Sequence, residues 1–304
     1  MKNQSKALIM AGFVVFFWAT VATAFKIALN EISNLQLLLI ASSTALIVCF
    51  IELVRTKKLI LLRESLMSRS TIYRGAWQGF MNPFIYYLIL FKGYSLLPAQ
   101  IAQPLNFSWQ IVLMILMAIF LKQKLHFNQV VGVLVSFSGI IMLSLNNSAD
   151  VSGQLSVFGL GLIIASTIIW ATYWLLKINE KQDSVIELFV SFLFGTIYLI
   201  VVSLFTPMEF PPLKPLLAGI YAGMFEMGIT FILWSKALKL ATNRVTLTQL
   251  IYLSPLLSLL LIHFILGEKI GVLTIVGLFL IIGGILISNL KQKSAVANTR
   301  ILPD

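Results

Sequence analysis

Apolar runs of roughly 20 residues dominate the chain, the length an α-helix needs to cross a bilayer. Divided at glycine, proline and charge, they predict ten helices, over 7–29, 35–54, 72–91, 99–121, 128–146, 157–176, 185–205, 215–235, 245–266 and 271–289. The connections are mostly short, which predicts antiparallel neighbours in a bundle. The pattern also repeats. Residues 75–82 read GAWQGFMN and residues 219–226 read GIYAGMFE. At a constant shift of 144 positions Gly75 meets Gly219, Trp77 meets Tyr221, Gly79 meets Gly223 and Asn82 meets Glu226. Phe91 and Lys92 fall on Ser235 and Lys236, and Phe120 on Phe264. After one residue of slip Gly132 and Gly139 fall on Gly277 and Gly284.

The first apolar run follows MKNQSK and contains Ala22, Thr23 and Ala24, features shared with a cleaved signal peptide. Phe17, Trp18, Ala19 and Thr20 recur, however, as Ile169, Trp170, Ala171 and Thr172. A segment with an internal copy reads as the first membrane helix. Five helices per half is an odd number, so the second copy enters the membrane upside down relative to the first. The expected division is a first five-helix repeat over 1–147, a second over 148–290, and a polar tail over 291–304, with the boundary near 146–156.

Composition sets the environment. With 59% hydrophobic and 11% charged residues and a mean hydropathy of +0.96, the chain exceeds what a soluble core of this size uses. The net charge of +11 would point to nucleic acid in a soluble protein, but its placement points elsewhere. With the N-terminus inside, all 22 lysines and arginines except Lys26, Lys92, Lys214 and Lys269 fall on the cytoplasmic side, beside anionic headgroups. The largest cluster, Arg55, Lys57, Lys58, Arg63 and Arg69, occupies the longest cytoplasmic loop. The expected partners are the lipid bilayer and a small-molecule substrate, with protons a candidate coupling ion and no nucleic acid expected. Cys49 with His126 and His263 makes neither a disulfide nor a zinc cluster. The sequence lacks H-E-x-x-H, P-loop, G-x-S-x-G and dinucleotide signatures, so neither enzyme nor cofactor is expected and transport must draw on gradients.

Glu226 lies near the middle of the eighth predicted helix, where a charge facing lipid costs several kcal/mol. Such a carboxylate exchanges a proton, meets a substrate amine, or bridges helices. Lys26 either neutralises it or snorkels to the headgroups. Asn82 holds the equivalent place in the third helix, and Pro83 behind it predicts a kink. Gln100, Gln103, Asn106 and Gln110 share one face of the fourth helix, with Phe107 beside them. The ninth offers Thr246, Thr248, Gln249, Tyr252 and Ser254 before Pro255. Two polar stripes in matched helices predict a hydrophilic cavity between the repeats, or polar contacts between helices. Trp18 and Trp170, matched and well inside their segments, are candidates to stack on substrate, with Tyr86 adding a hydroxyl. Trp109, Tyr173 and Trp174 belong with interfacial or packing aromatics as readily. His263 reads as a packed histidine, and Glu268 with Lys269 as a pair in a tight connection.

Two five-helix repeats, the F-W-A-T segment, and Leu253, Ser254 and Pro255 with Glu268 beyond them resemble EamA domains of the drug/metabolite transporter superfamily. The first half departs from the pattern: Ile111 and Lys124 stand where Pro255 and Glu268 stand in the second. The resemblance implies an all-α integral membrane protein of ten helices, two inverted repeats around a central cavity, with both termini cytoplasmic in a bacterial-type inner membrane. It implies export or exchange of small metabolites. Helices 1, 3, 4, 6, 8 and 9 would line the site, with Glu226, Asn82, Gln103, Asn106, Gln249, Tyr252, Trp18, Trp170, Tyr86 and Thr248 as candidate residues. Amino acids or related compounds are the favoured cargo. Uptake or exchange of a nucleotide-like metabolite, and a non-transporting receptor or assembly subunit, are the alternatives.

Overall fold

A computed structural model of the chain describes residues 2–29, 31–97, 105–145, 156–179, 182–254, 256–257 and 272–290. Gln100, Gln103, Pro255, His263, Glu268, Lys269, the connection at 146–155 and the tail from 291 lie outside the described residues, as does the side chain of Lys26. The helices are α1 (Lys2–Leu29), α2 (Asn34–Arg55), α3 (Leu59–Met67), α4 (Arg69–Gly79), π1 (Phe80–Ile85), α5 (Tyr86–Leu96), α6 (Trp109–Phe120) and α7 (Phe127–Leu145). They continue with α8 (Val157–Asn179), α9 (Ser184–Ser203), α10 (Leu213–Ala222), π2 (Gly223–Gly228), α11 (Ile229–Leu240), α12 (Arg244–Gln249), a 3₁₀ turn (Leu250–Tyr252) and α13 (Val272–Asn289). Among the described residues there is no strand.

Among the described residues five stretches are long and apolar enough to cross a membrane: Asn3–Val21, Asn34–Arg55, Val157–Ile178, Ser184–Ser203 and Leu213–Leu240. Large apolar side chains such as Phe13, Ile51, Ile168 and Val201 stand exposed on these helices, as lipid-facing positions do. The predicted third span, 72–91, is not a single helix. Asn82 takes extended dihedrals (φ −153°, ψ 125°), and the backbone around it forms π1 between α4 and α5. The kink expected from Pro83 is therefore a full interruption. The basic loop after α2 also differs from expectation. Residues 59–67 form α3, because LILLRESLM places Leu62 in the core and turns Arg63 and Glu64 outward.

Irregular backbone at membrane depth needs protein against it. Here each broken helix lies on a helix from the other half of the chain: α4 and π1 on α9, and α10 and π2 on α2. Glycine makes both contacts possible. A Cβ on Gly75 would strike Val190, and one on Gly79 would strike the Ser191 carbonyl and Gly195, both faces belonging to α9. Likewise a Cβ on Gly219 would meet Ile40, and one on Gly223 would strike Ala41 and Thr44 of α2. The α7–α13 pair is equally close. Gly132 faces the Gly284 carbonyl, Gly284 faces the Gly132 carbonyl, Gly139 faces the Gly277 carbonyl, and Ser136 Oγ donates to the Ile281 carbonyl at 3.1 Å. Around these contacts α1 packs on α10 and α11, and α5 packs on α8.

The two ends of the bundle differ. At one, Lys58 pairs with Asp183 at 2.6 Å, Lys236 with Glu52 at 3.3 Å, and Lys239 with Glu187 at 2.8 Å. Gln4 Oε1 accepts from the backbone amides of Thr242 and Asn243 at 2.8 and 3.0 Å, joining α1 to the turn before α12. At the other end a cleft of ≈ 540 Å³ opens between α1 and α10, bordered by Thr20, Ala24, Ile27, Leu217 and Tyr221.

Two outcomes are expected. Gly79→Ala and Gly223→Ala each overpack a helix contact and lower stability by about 1–3 kcal/mol. Gly12→Ala, with nothing within 4 Å of its added methyl, holds stability or raises it by up to about 1 kcal/mol. Thermal unfolding of the purified chain in detergent compares the three. Asp183 Oδ1 caps α9, accepting from the Val185 amide at 2.9 Å and the Ile186 amide at 3.4 Å. Burial opposes ionisation of Asp183, but the bonds from Lys58 and these amides outweigh it and hold the carboxyl below its usual range. A depressed carboxyl stabilises the fold above its unfolded pKa and ceases to do so as pH falls through its folded one. Asp183→Ala should therefore cost about 1 kcal/mol at neutral pH. That gap should close on acidification below the ordinary carboxylate range, as read from melting curves.

Candidate functional site

The wide turn of π2 lies between Gly223 and Gly228, residues without a side chain to obstruct the approach of α2. Thr230 Oγ1 donates to the Phe225 carbonyl, occupying an acceptor that a widened turn would leave without its ordinary partner. This geometry projects Glu226 inward. Its Oε1 accepts a 3.0 Å hydrogen bond from the Tyr87 hydroxyl on α5, and its main-chain carbonyl accepts from Trp18 Nε1 on α1 at 3.4 Å. The side chain is half-buried, and among the described residues it has no ion-pair partner. One neutral donor is modest compensation for a carboxylate taken out of water. Chemically, the position accepts a proton or an ammonium group.

Aromatic rings close around it. Five of the six tryptophans, Trp18, Trp109, Trp170, Trp174 and Trp234, form one connected group. Trp18 lies 5.9 Å from Trp234, and Trp109 stands edge-on to both Trp234 and Trp170 at 6.3 Å. Trp170 stacks on Tyr86 at 4.3 Å and 23°, and meets Tyr87 edge-on at 6.3 Å. Trp18, Trp170 and Tyr86, expected together from the sequence, thus share a wall with Glu226. Trp77 is apart, 59% exposed and stacked on Phe80. Faces of this kind attract cations as well as apolar groups.

Asn82 occupies the matching place on π1, but its surroundings differ. It is fully buried, and among the described residues neither its amide nitrogen nor its carbonyl oxygen has a hydrogen-bond partner. The Tyr173 hydroxyl on α8, also unpaired, lies beside it with Ser191. Ser191 Oγ receives Lys177 Nζ at 3.0 Å and is within 3.1 Å of Gln78 Oε1. Lys177 reads in the sequence as an anchor just past the end of a predicted span. In the structure α8 continues to Asn179, and α9 covers Lys177 so that only 1% of it is exposed.

The other predicted residues fall in two places. Asn106 donates to Ser166 Oγ at 3.4 Å, and Gln110 is buried with both amide atoms unpaired. Gln249 Nε2 donates to Ser136 Oγ at 2.9 Å, joining α12 to α7, and Thr248 donates to the Val245 carbonyl within its own helix. Tyr252 is buried against Phe107, Ile140 and Ile281, its hydroxyl without a partner among the described residues. This group packs α7, α12 and α13 together. Sequence reasoning missed Tyr87 and Lys177. Tyr87 follows Tyr86 directly, and its value lies in a contact 139 positions away that no local pattern announces. Among the described residues no group of His, Cys, Asp or Glu is placed to hold a metal ion.

Comparison with known proteins agrees with this architecture. The chain is similar to an uncharacterized transporter of Clostridium kluyveri, 28% identical over 199 residues, which are 59% of this chain and 61% of that protein. An uncharacterized transporter of Archaeoglobus fulgidus is 26% identical over 177 residues, 56% and 61% of the two chains. The chain thus spans about three fifths of the length of these two relatives. The uncharacterized transporter YvbV of Bacillus subtilis is 22% identical over 229 residues, 71% and 72% of the two chains. One solved crystal structure superimposes with a TM-score of 0.80 at 19% identity, covering 94% of this chain and 97% of the other, a likeness of fold. The description of the EamA-like transporter family matches residues 5–145 and 157–290. Matched over both halves, the chain belongs to the EamA-like transporter family.

Proposed function

We propose that the chain is a secondary active transporter of small organic metabolites, amino acids or related amines foremost, driven by the proton gradient through Glu226. The observation that carries this reading is the half-buried Glu226 carboxylate, held among the described residues by the Tyr87 hydroxyl and facing an aromatic wall. A group in that position binds a proton and an ammonium group in alternation, which couples one movement to the other. Export is the favoured direction. The matched breaks support an arrangement of two inverted five-helix repeats of ten helices in all. π1 and π2 fall at the same place in the duplicated segments, and each lies on the partner half through paired glycines. Alternating access would rock these halves. The ion pairs at one end and the cleft at the other suit a state closed on its basic side. The basic side is the cytoplasmic one in this reading, with both termini in the cytoplasm of a bacterial-type inner membrane.

The test is transport in proteoliposomes containing only this chain, with a panel of amino acids and amines under an imposed pH gradient. Wild type should show gradient-driven flux, and Glu226→Gln should lose its pH dependence while remaining folded. Unaltered pH dependence in that variant removes Glu226 from coupling. Tyr87→Phe keeps the ring against Trp170 but removes the hydrogen bond. Loss of a bond to a charged group, roughly 1.5–3 kcal/mol, should lower flux at low substrate on the order of tenfold.

A further inference from the structure

Two intramembrane poles of opposite chemistry stand on the same wall of this protein. Glu226 faces Trp170 across Tyr87. Lys177 lies seven residues beyond Trp170 on α8, a rise of about 10 Å along the same helix. Between them are Tyr173 and Asn82. Lys177 is 1% exposed, its Nζ donating to Ser191 Oγ at 3.0 Å and lying 5.3 Å above the Tyr173 ring. A lysine that ties helices together would need nothing further. The groups beside it are harder to explain by packing. Among the described residues the Tyr173 hydroxyl is fully buried without a hydrogen-bond partner, and so are both polar atoms of Asn82. A buried polar group left unpaired costs about 1–3 kcal/mol, and three such atoms converge here. Ser191 also has one proton for two acceptors within reach, Gln78 Oε1 at 3.1 Å and the Glu187 carbonyl at 2.7 Å, so this network has room to rearrange.

An ammonium, a phenol and an amide N–H₂ are all donors, and donors converging in a dry site select an anion. We propose that Lys177, Tyr173 and Asn82 form an anion-binding subsite that takes the carboxylate of the transported molecule. This rests on the transport reading above and adds a second point of recognition to Glu226.

Binding to the purified full-length chain in detergent, followed by quenching of intrinsic tryptophan fluorescence, tests the subsite with matched pairs. Suitable pairs are leucine with leucinamide, phenylalanine with phenylalaninamide, and butyrate with butyramide. At least one acid should bind about tenfold or more tighter than its amide, the discrimination of a charge-assisted contact in a buried site. Lys177→Met should bring that ratio near one. Because Lys177→Met risks misfolding, Tyr173→Phe provides the second arm. It removes a hydroxyl that has no partner, so unliganded stability should hold or rise while the preference for the acid falls several-fold. A purely structural Tyr173 would leave the preference intact. Glu226→Gln should retain the acid-to-amide ratio, which separates this subsite from the coupling role of Glu226. The proposal is overturned if no acid exceeds its amide, if both Lys177→Met and Tyr173→Phe keep the preference, or if Glu226→Gln alone abolishes it.

Discussion

A backbone in hydrocarbon must satisfy its own hydrogen bonds, so a membrane helix can be interrupted only where protein covers the interruption. The architecture follows from meeting that condition twice. π1 is covered by α9 at Gly75 and Gly79, and π2 by α2 at Gly219 and Gly223. Close backbone approach makes the breaks tolerable, and the breaks turn Asn82 and Glu226 away from lipid. The polar chemistry of the core therefore depends on four positions that have no side chain. Packing of this kind resists even one added methyl, since a rigid interior has little freedom to yield.

Much of this is legible in the order of the amino acids. The duplicated glycines mark the two segments that break, and Pro83 marks the sharper break. Glu226 stands out because carboxylates are rare in apolar runs, and the pairing of Trp18 with Trp170 follows from the recurring segments. What is not legible depends on contacts between distant parts of the chain. No periodicity places the Tyr87 hydroxyl 3.0 Å from Glu226. Lys177 misleads for a physical reason: a basic residue one step past an apolar run has the sequence signature of a topological anchor, and only the packing of α9 reveals its burial. Amides and hydroxyls on an apolar helix mark a cavity and a helix contact equally: the Gln249 amide nitrogen reaches Ser136 of α7, and the Thr248 hydroxyl bonds within its own helix.

The two broken segments are alike in backbone and unlike in chemistry. Both broken segments lean on the other half by the same glycine device, yet one carries an acid beside a phenol and the other an amide near a lysine. Like backbone with unlike side chains gives two distinct chemical environments at the two breaks. The ion pairs sit together at one end of the bundle, so the two ends also differ in what holds them.

The exchange of contacts between halves bears on how the chain is made. Residues 80–85 leave the ribosome about a hundred residues before the α9 segment that covers them, an interval read from their positions in the chain. Until α9 is synthesised, the amide at Asn82 and the open turn around it have no native shield from the bilayer. π2 meets the reverse situation, because α2 is already in place when Gly223 and Glu226 arrive. The first break thus stays uncovered through much of synthesis while the second is covered on arrival, so the order of translation makes the N-terminal half the vulnerable one during insertion.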